Sequence, residues 1–141
     1  MRLRNVPKAR EVMIENEYVF TEPGGMCNTW SEVFGNHNPI HIEIGMGKGK
    51  FISTLASKNP NINYVGIEKY SSVLLRAVEK QNELQLFNLR FIRMDAENIC
   101  AAVPHDLHPV PRYFLPAETI FFFAGVVEDY GFHIILHPNQ P

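Results

Sequence analysis

Hydrophobic positions alternate between two rhythms from residue 39 to about residue 103. Ile40, Ile42 and Ile44 fall at every second position, the period of a strand with one face turned inward. Gly45, Gly47 and Gly49 follow at once, and then Phe51, Ile52, Leu55 and Ala56 recur at helical spacing. Asn59-Pro60 is a stop signal, so this helix is expected to end near Ser57. Residues 64–67 predict a second strand that closes on Glu68. Ser71 or Ser72 is placed to cap a second helix. Its inner stripe is Val73, Leu74, Ala77 and Val78, with Arg76, Glu79 and Lys80 turned outward. Leu89, Phe91 and Ile92 predict a third strand ending at Met94-Asp95, and residues 96–103 a short third helix. Consecutive βα units with such short connections demand parallel strands and right-handed crossovers. The expected fold class is therefore α/β.

The flanks read differently. Residues 1–38 lack strong periodicity. Arg2, Arg4, Lys8 and Arg10 sit among Leu3, Val6 and Ala9, which fits a basic arm that touches phosphates and equally a solvated terminal arm. Glu22-Pro23-Gly24-Gly25 predicts a turn. Trp30, Val33 and Phe34 carry a brief helical rhythm in which Trp30 is a packing anchor. Past Val103, Pro104, Pro109, Pro111 and Pro116 break the pattern, and no lysine follows Lys80. Residues 119–123 and 132–136 could each be a buried strand, with a turn at 128–131. The expected organisation is a basic extension over 1–38, a ligand-binding half-domain over 39–103 and a divergent tail over 104–141.

Composition narrows the class modestly. A 141-residue chain with 45% hydrophobic and 20% charged residues is one globular unit with a real core. The net charge of −2 argues neither for nor against a nucleic-acid partner. Its distribution is uneven. Residues 1–94 hold twelve of the thirteen lysines and arginines against nine acids, whereas residues 95–141 hold Arg112 alone against six acids. Cys27 and Cys100 form no C-x-x-C motif. The N-terminus has no apolar core of a signal peptide, and the longest apolar run, residues 120–127, is too short to span a bilayer. A cytoplasmic protein with reduced thiols and no membrane partner is expected.

The candidate chemistry lies at the strand ends. Glu43 stands just before the glycine turn, Glu68 ends the second predicted strand and Asp95 ends the third. Open α/β sheets bind ligands outside the carboxyl ends of their strands, so the three acids are expected to line one crevice. Gly45 permits the sharp turn and Gly47 a close ligand approach. Glu68 suits the two ribose hydroxyls of a nucleoside and Asp95 the exocyclic amine of adenine. Glu43 suits an ammonium group. The spacing here is G-x-G-x-G rather than the G-x-G-x-x-G of dinucleotide sites. An acid two residues ahead of the first glycine would repel a pyrophosphate, which favours S-adenosylmethionine over NAD. Acids that merely solvate strand ends are the plain alternative.

The stretches His-Ile-Glu-Ile-Gly-Met-Gly-Lys-Gly-Lys-Phe (41–51), Gly-Ile-Glu-Lys-Tyr-Ser-Ser-Val-Leu (66–74) and Arg-Phe-Ile-Arg-Met-Asp-Ala-Glu-Asn (90–98) closely resemble the bacterial tRNA (guanine-N7-)-methyltransferase family. The opening Met-Arg-Leu-Arg-Asn and residues 30–36 resemble it too, so the likeness spans about residues 1–99. It implies a Rossmann-like class I methyltransferase fold and methyl transfer from S-adenosylmethionine to N7 of a guanosine in the tRNA variable loop. It also implies Glu43, Glu68 and Asp95 as the cofactor-binding acids. Guanine N7 carries a lone pair and no proton, so such transfer needs alignment rather than a strong base or a metal.

Residues 100–141 depart from the family. They contain no Asp-Pro motif and no basic cluster. The sheet is therefore expected to be incomplete at its carboxyl side, in a truncated, frame-altered or diverged relative with methyl transfer impaired. The alternative function is a non-catalytic S-adenosylmethionine- or tRNA-binding remnant, and a small-molecule methyltransferase is a third reading. His105, His108, His133 and His137 invite a metal, but no cysteine or glutamate motif accompanies them and none is expected.

Overall fold

The structure is a computed structural model that describes residues 6–22, 24, 29–101, 126–127 and 132–136. In chain order these form α1 (Ala9–Glu15), β1 (Val19–Phe20), α2 (Trp30–Phe34), β2 (Ile40–Ile44), α3 (Lys50–Lys58), β3 (Asn63–Glu68), α4 (Ser71–Leu84), β4 (Leu89–Arg93), a 3-10 turn (Ala96–Ala101), β5 (Val126–Val127) and β6 (Phe132–Leu136). One sheet takes the order β1-β4-β3-β2-β6-β5, parallel throughout except where β5 runs against β6. The chain steps outward from β2 to β3 to β4 and returns on the other side of β2. That reversal makes β2 the topological switch point of a Rossmann-like α/β sheet. Among the described residues, β6 and the two-residue β5 form the sheet beyond it.

Strand alternation divides the core into two layers. Ile40, Ile42, Val65, Ile67 and Ile92 pack with Trp30 and Phe34 of α2 on one face. Tyr64, Leu89 and Phe91 meet Met13 of α1, Ile52 and Ala56 of α3, and Leu74, Ala77 and Val78 of α4 on the other. Trp30 is the expected anchor, with its ring edge-on to Phe20 at 6.1 Å. A sheet covered on both faces explains why β3 is buried along its whole length.

The N-terminal segment is more ordered than its pattern suggests. Met13 is fully buried, and β1 pairs with β4 through Val19 opposite Phe91. A two-residue strand offers no period to detect; only the exposed edge of β4 supplies its partner. Ser71 and Ser72 do not cap α4. Its N-cap is Tyr70 with no side-chain bond, and the Ser71 hydroxyl accepts from Arg93 Nε at 2.7 Å instead. The inner stripe of α4 also includes buried Gln81, whose amide donates to the Leu86 carbonyl at 2.7 Å. Buried Asn88 likewise donates to the carbonyls of Ala56, Asn59 and Ile62, tying the end of α3 to the start of β4.

The strand expected over 132–136 is β6, parallel to β2. The expected strand at 119–123 and turn at 128–131 lie outside the described residues, as do Arg2, Arg4, Cys27 and the side chains of Cys100 and of the four histidines at 105, 108, 133 and 137. Most of the predicted turn at 22–25 lies outside them too.

Candidate functional site

The carboxyl edge of β2, β3 and β4 carries the glycine turn and all three acids. Register places Ile44 beside Ile67 and Glu68 beside Arg93, so Glu68 stands between the turn after β2 and the end of β4. The turn is held from below. The N–H groups of Gly45 and Met46 both donate to the Ile67 carbonyl, at 2.9 and 3.1 Å, and Gly49 N–H closes back on the Met46 carbonyl. Gly45, Gly47 and Gly49 all have left-handed backbones, with φ of 70°, 59° and 71°.

The three glycines serve different ends. A Cβ on Gly45 or Gly47 would meet no atom within 4 Å, whereas one on Gly49 would lie 2.7 Å from Ala77 Cβ. Gly49 thus packs α3 against α4, while the space above Gly45 and Gly47 is open.

Each acid has a distinct environment. Glu43 is 2% exposed, on the sheet face that α3 covers, and accepts from the Ile52 backbone N–H in the first turn of that helix. Burial pushes its pKa up to about 7, against the opposing effect of that hydrogen bond. Glu68 is 9% exposed and works as a bracket: Oε2 accepts from Gly47 N–H at 3.1 Å and Oε1 from Tyr70 N–H at 3.0 Å. It ties the turn after β2 to the entry of α4. Asp95 is a third exposed and pairs with Lys69 Nζ at 2.5 Å, while its Oδ1 accepts from Glu97 N–H. The Lys69 ammonium, then the Glu97 N–H, hold the Asp95 carboxyl below its usual range, and Asp95 raises Lys69 in return.

A hollow of about 530 Å³ opens at the β4 end, lined by Thr21, Gly24, Lys69, Arg93, Met94, Asp95 and Asn98. Of the three acids, Asp95 alone is among those lining residues. Sequence reasoning missed Lys69, which directly follows the strand-ending Glu68, and Arg93, two residues before Asp95. It also missed Thr21 and Gly24, which β1 delivers to the site. Lys48 and Lys50, beside the turn, are exposed. Among the described residues no group of three His, Cys, Asp or Glu could hold a metal ion. Nor is any described helix long and apolar enough to cross a membrane.

Residues 37–112 match a family described as putative methyltransferase. The chain is 64% identical over 99 residues to the tRNA (guanine-N(7)-)-methyltransferase of Lachnoclostridium phytofermentans, covering 70% of this chain and 46% of that protein. The Bacillus subtilis protein of the same name is 43% identical over 100 residues, covering 70% and 47%. The chain thus spans about half the length of the curated relatives it matches. A solved antibiotic-related methyltransferase aligns with a TM-score of 0.45 at 28% identity, over 50% of this chain and 37% of that one. With more than half of its residues, including the β2 turn and all three acids, inside the matched span, the chain belongs to this methyltransferase family.

Proposed function

We propose that this chain is the S-adenosylmethionine-binding portion of a tRNA (guanine-N7-)-methyltransferase. The observation that carries the reading is the 64% identity over 99 residues to a relative of that name. The residues present fit the cofactor. The space above Gly45 and Gly47 is open, Glu68 stands between that turn and the hollow, and about 530 Å³ is ample for a nucleoside. When bound, S-adenosylmethionine supplies an electrophilic methyl group on a sulfonium.

The chain's own side chains then have separable tasks. Glu68 offers its remaining lone pairs to the ribose hydroxyls, because Gly47 and Tyr70 each occupy one position on its two oxygens. Asp95 accepts from the adenine amine, which requires Lys69 to give way. Glu43, protonated in part at neutral pH, ionises opposite the ammonium of the methionine moiety. No base is needed at the acceptor, since guanine N7 presents a lone pair; the protein's contribution is alignment. The tRNA partner and a cytoplasmic setting belong to the same reading.

Titration calorimetry with S-adenosylmethionine, beside transfer of labelled methyl to unmodified tRNA, tests it. Saturable binding that weakens in Glu68→Ala is the expected result. Absence of binding at millimolar cofactor would overturn the reading, and binding without transfer would select the remnant.

A further inference from the structure

Met46, the residue between the first two glycines of the turn, is buried although Gly45 before it is exposed. Its side chain points down into a slot in the sheet. The slot exists because residue 66, in the middle of β3, is glycine: a Cβ there would fall on Met46 Sδ and would also crowd Phe91 Cδ1 at 3.2 Å and Ile52 Cδ1 at 3.3 Å. Met46 Cε reaches on toward Gly49, 3.8 Å from where a Cβ on that residue would stand. A glycine inside a buried strand weakens it unless something approaches its backbone closely, and here the approaching group is this thioether.

From this contact we infer that Met46 is a positioning residue for the cofactor site, its side chain seated over Gly66 and holding the turn where Gly47 N–H meets Glu68. The inference rests on the function proposed above for its purpose, but not for its geometry. The backbone bonds of Gly45 and Met46 to Ile67 fix the root of the turn. They leave the tip, where the Gly47 N–H is held by the Glu68 carboxylate. A glycine tip explores many conformations unless a neighbouring side chain is anchored. Met46 is that anchor, and its flexible, unbranched chain suits an irregular slot.

Amide exchange measured by NMR on the full chain reads the turn without any ligand. Met46→Ala is expected to speed exchange at Gly47 roughly tenfold or more while leaving Tyr64, at the far end of β3, within about threefold of the parent. Gly66→Ala should do the same by evicting Met46. Met46→Leu should restore protection, whereas Gly66→Ala combined with Met46→Ala, which fills the slot but leaves the turn without an anchoring side chain, should stay as fast as Met46→Ala. S-adenosylmethionine affinity, by calorimetry, should fall and recover in step. Unchanged Gly47 exchange in Met46→Ala, or loosening spread equally over Tyr64 and Gly47, would overturn the inference. If the parent chain binds no S-adenosylmethionine, the proposed function fails and the exchange data still decide the role of Met46.

Discussion

Glu43 and Asp95 occupy equivalent places in the sequence pattern, each an acid at the carboxyl end of a strand, and the fold sends them in opposite directions. Glu43 lies on a central strand with α3 laid across it, so water is excluded and its carboxyl is pushed up to about 7. Asp95 lies past the end of β4, near the sheet margin, where the Lys69 ammonium and then the Glu97 N–H hold its carboxyl down. Burial raises an acid by penalising its charged form, and a nearby cation lowers it by favouring that form. The same residue class near the carboxyl end of a strand therefore serves as a titratable buried group in one place and a fixed anion in the other. Glu68, between them, is a third case, with both oxygens already used to brace backbone.

Replacing Glu68 by alanine removes two backbone N–H bonds to a charged acceptor. S-adenosylmethionine affinity is expected to drop roughly ten- to hundredfold, the scale of one lost hydrogen bond from the ligand to a charged group at about 1.5–3 kcal/mol. Full retention of affinity in calorimetry would show that the bracket is dispensable.

Gly49→Ala comes next. It combines a left-handed backbone with a Cβ 2.7 Å from Ala77, and should cost about 2–4 kcal/mol in urea unfolding. Gly47→Ala meets no neighbour and should cost only about 1 kcal/mol. Equal losses would contradict the division between a packing glycine and a site glycine.

Glu43 makes stability depend on pH. Its folded pKa of about 7 lies above the ordinary 4.5, so the folded state holds the proton more tightly. Its contribution is fully present below about pH 4.5 and is lost as pH rises through about 7. Glu43→Gln should flatten that part of the profile and stabilise the protein at pH 8 by on the order of 2 kcal/mol. Denaturation midpoints at pH 5 and pH 8 give the comparison, and a variant that tracks the parent at both would place the titration elsewhere. The smallest effect is expected for Lys69→Ala. Its ion pair is exposed, so the unfolding midpoint should hold while the Asp95 carboxyl, followed by NMR titration, returns toward its usual value. A clear fall in midpoint would mean that the pair holds the β4 end together.

Much of this molecule is legible in its sequence alone. The alternation of Ile40, Ile42 and Ile44, the glycine spacing and the stripe of α4 are local patterns. Strand and helix periods, and the steric freedom of glycine, act over a few residues and need no distant partner. The placement of Glu43, Glu68 and Asp95 at three strand ends follows from them. The company each residue keeps is set by the closed fold. The two residues of β1 become a strand because β4 offers an open edge 72 residues away in the register of Val19 with Phe91. Ser71 is the first residue of α4 rather than its cap, and its hydroxyl meets Arg93 instead. Gly66 is in sequence one residue of a predicted strand and becomes, in the fold, the seat of Met46. Contacts of this kind depend on the whole chain having closed, because burial and charge pairing are set by which surfaces meet rather than by which residues are adjacent.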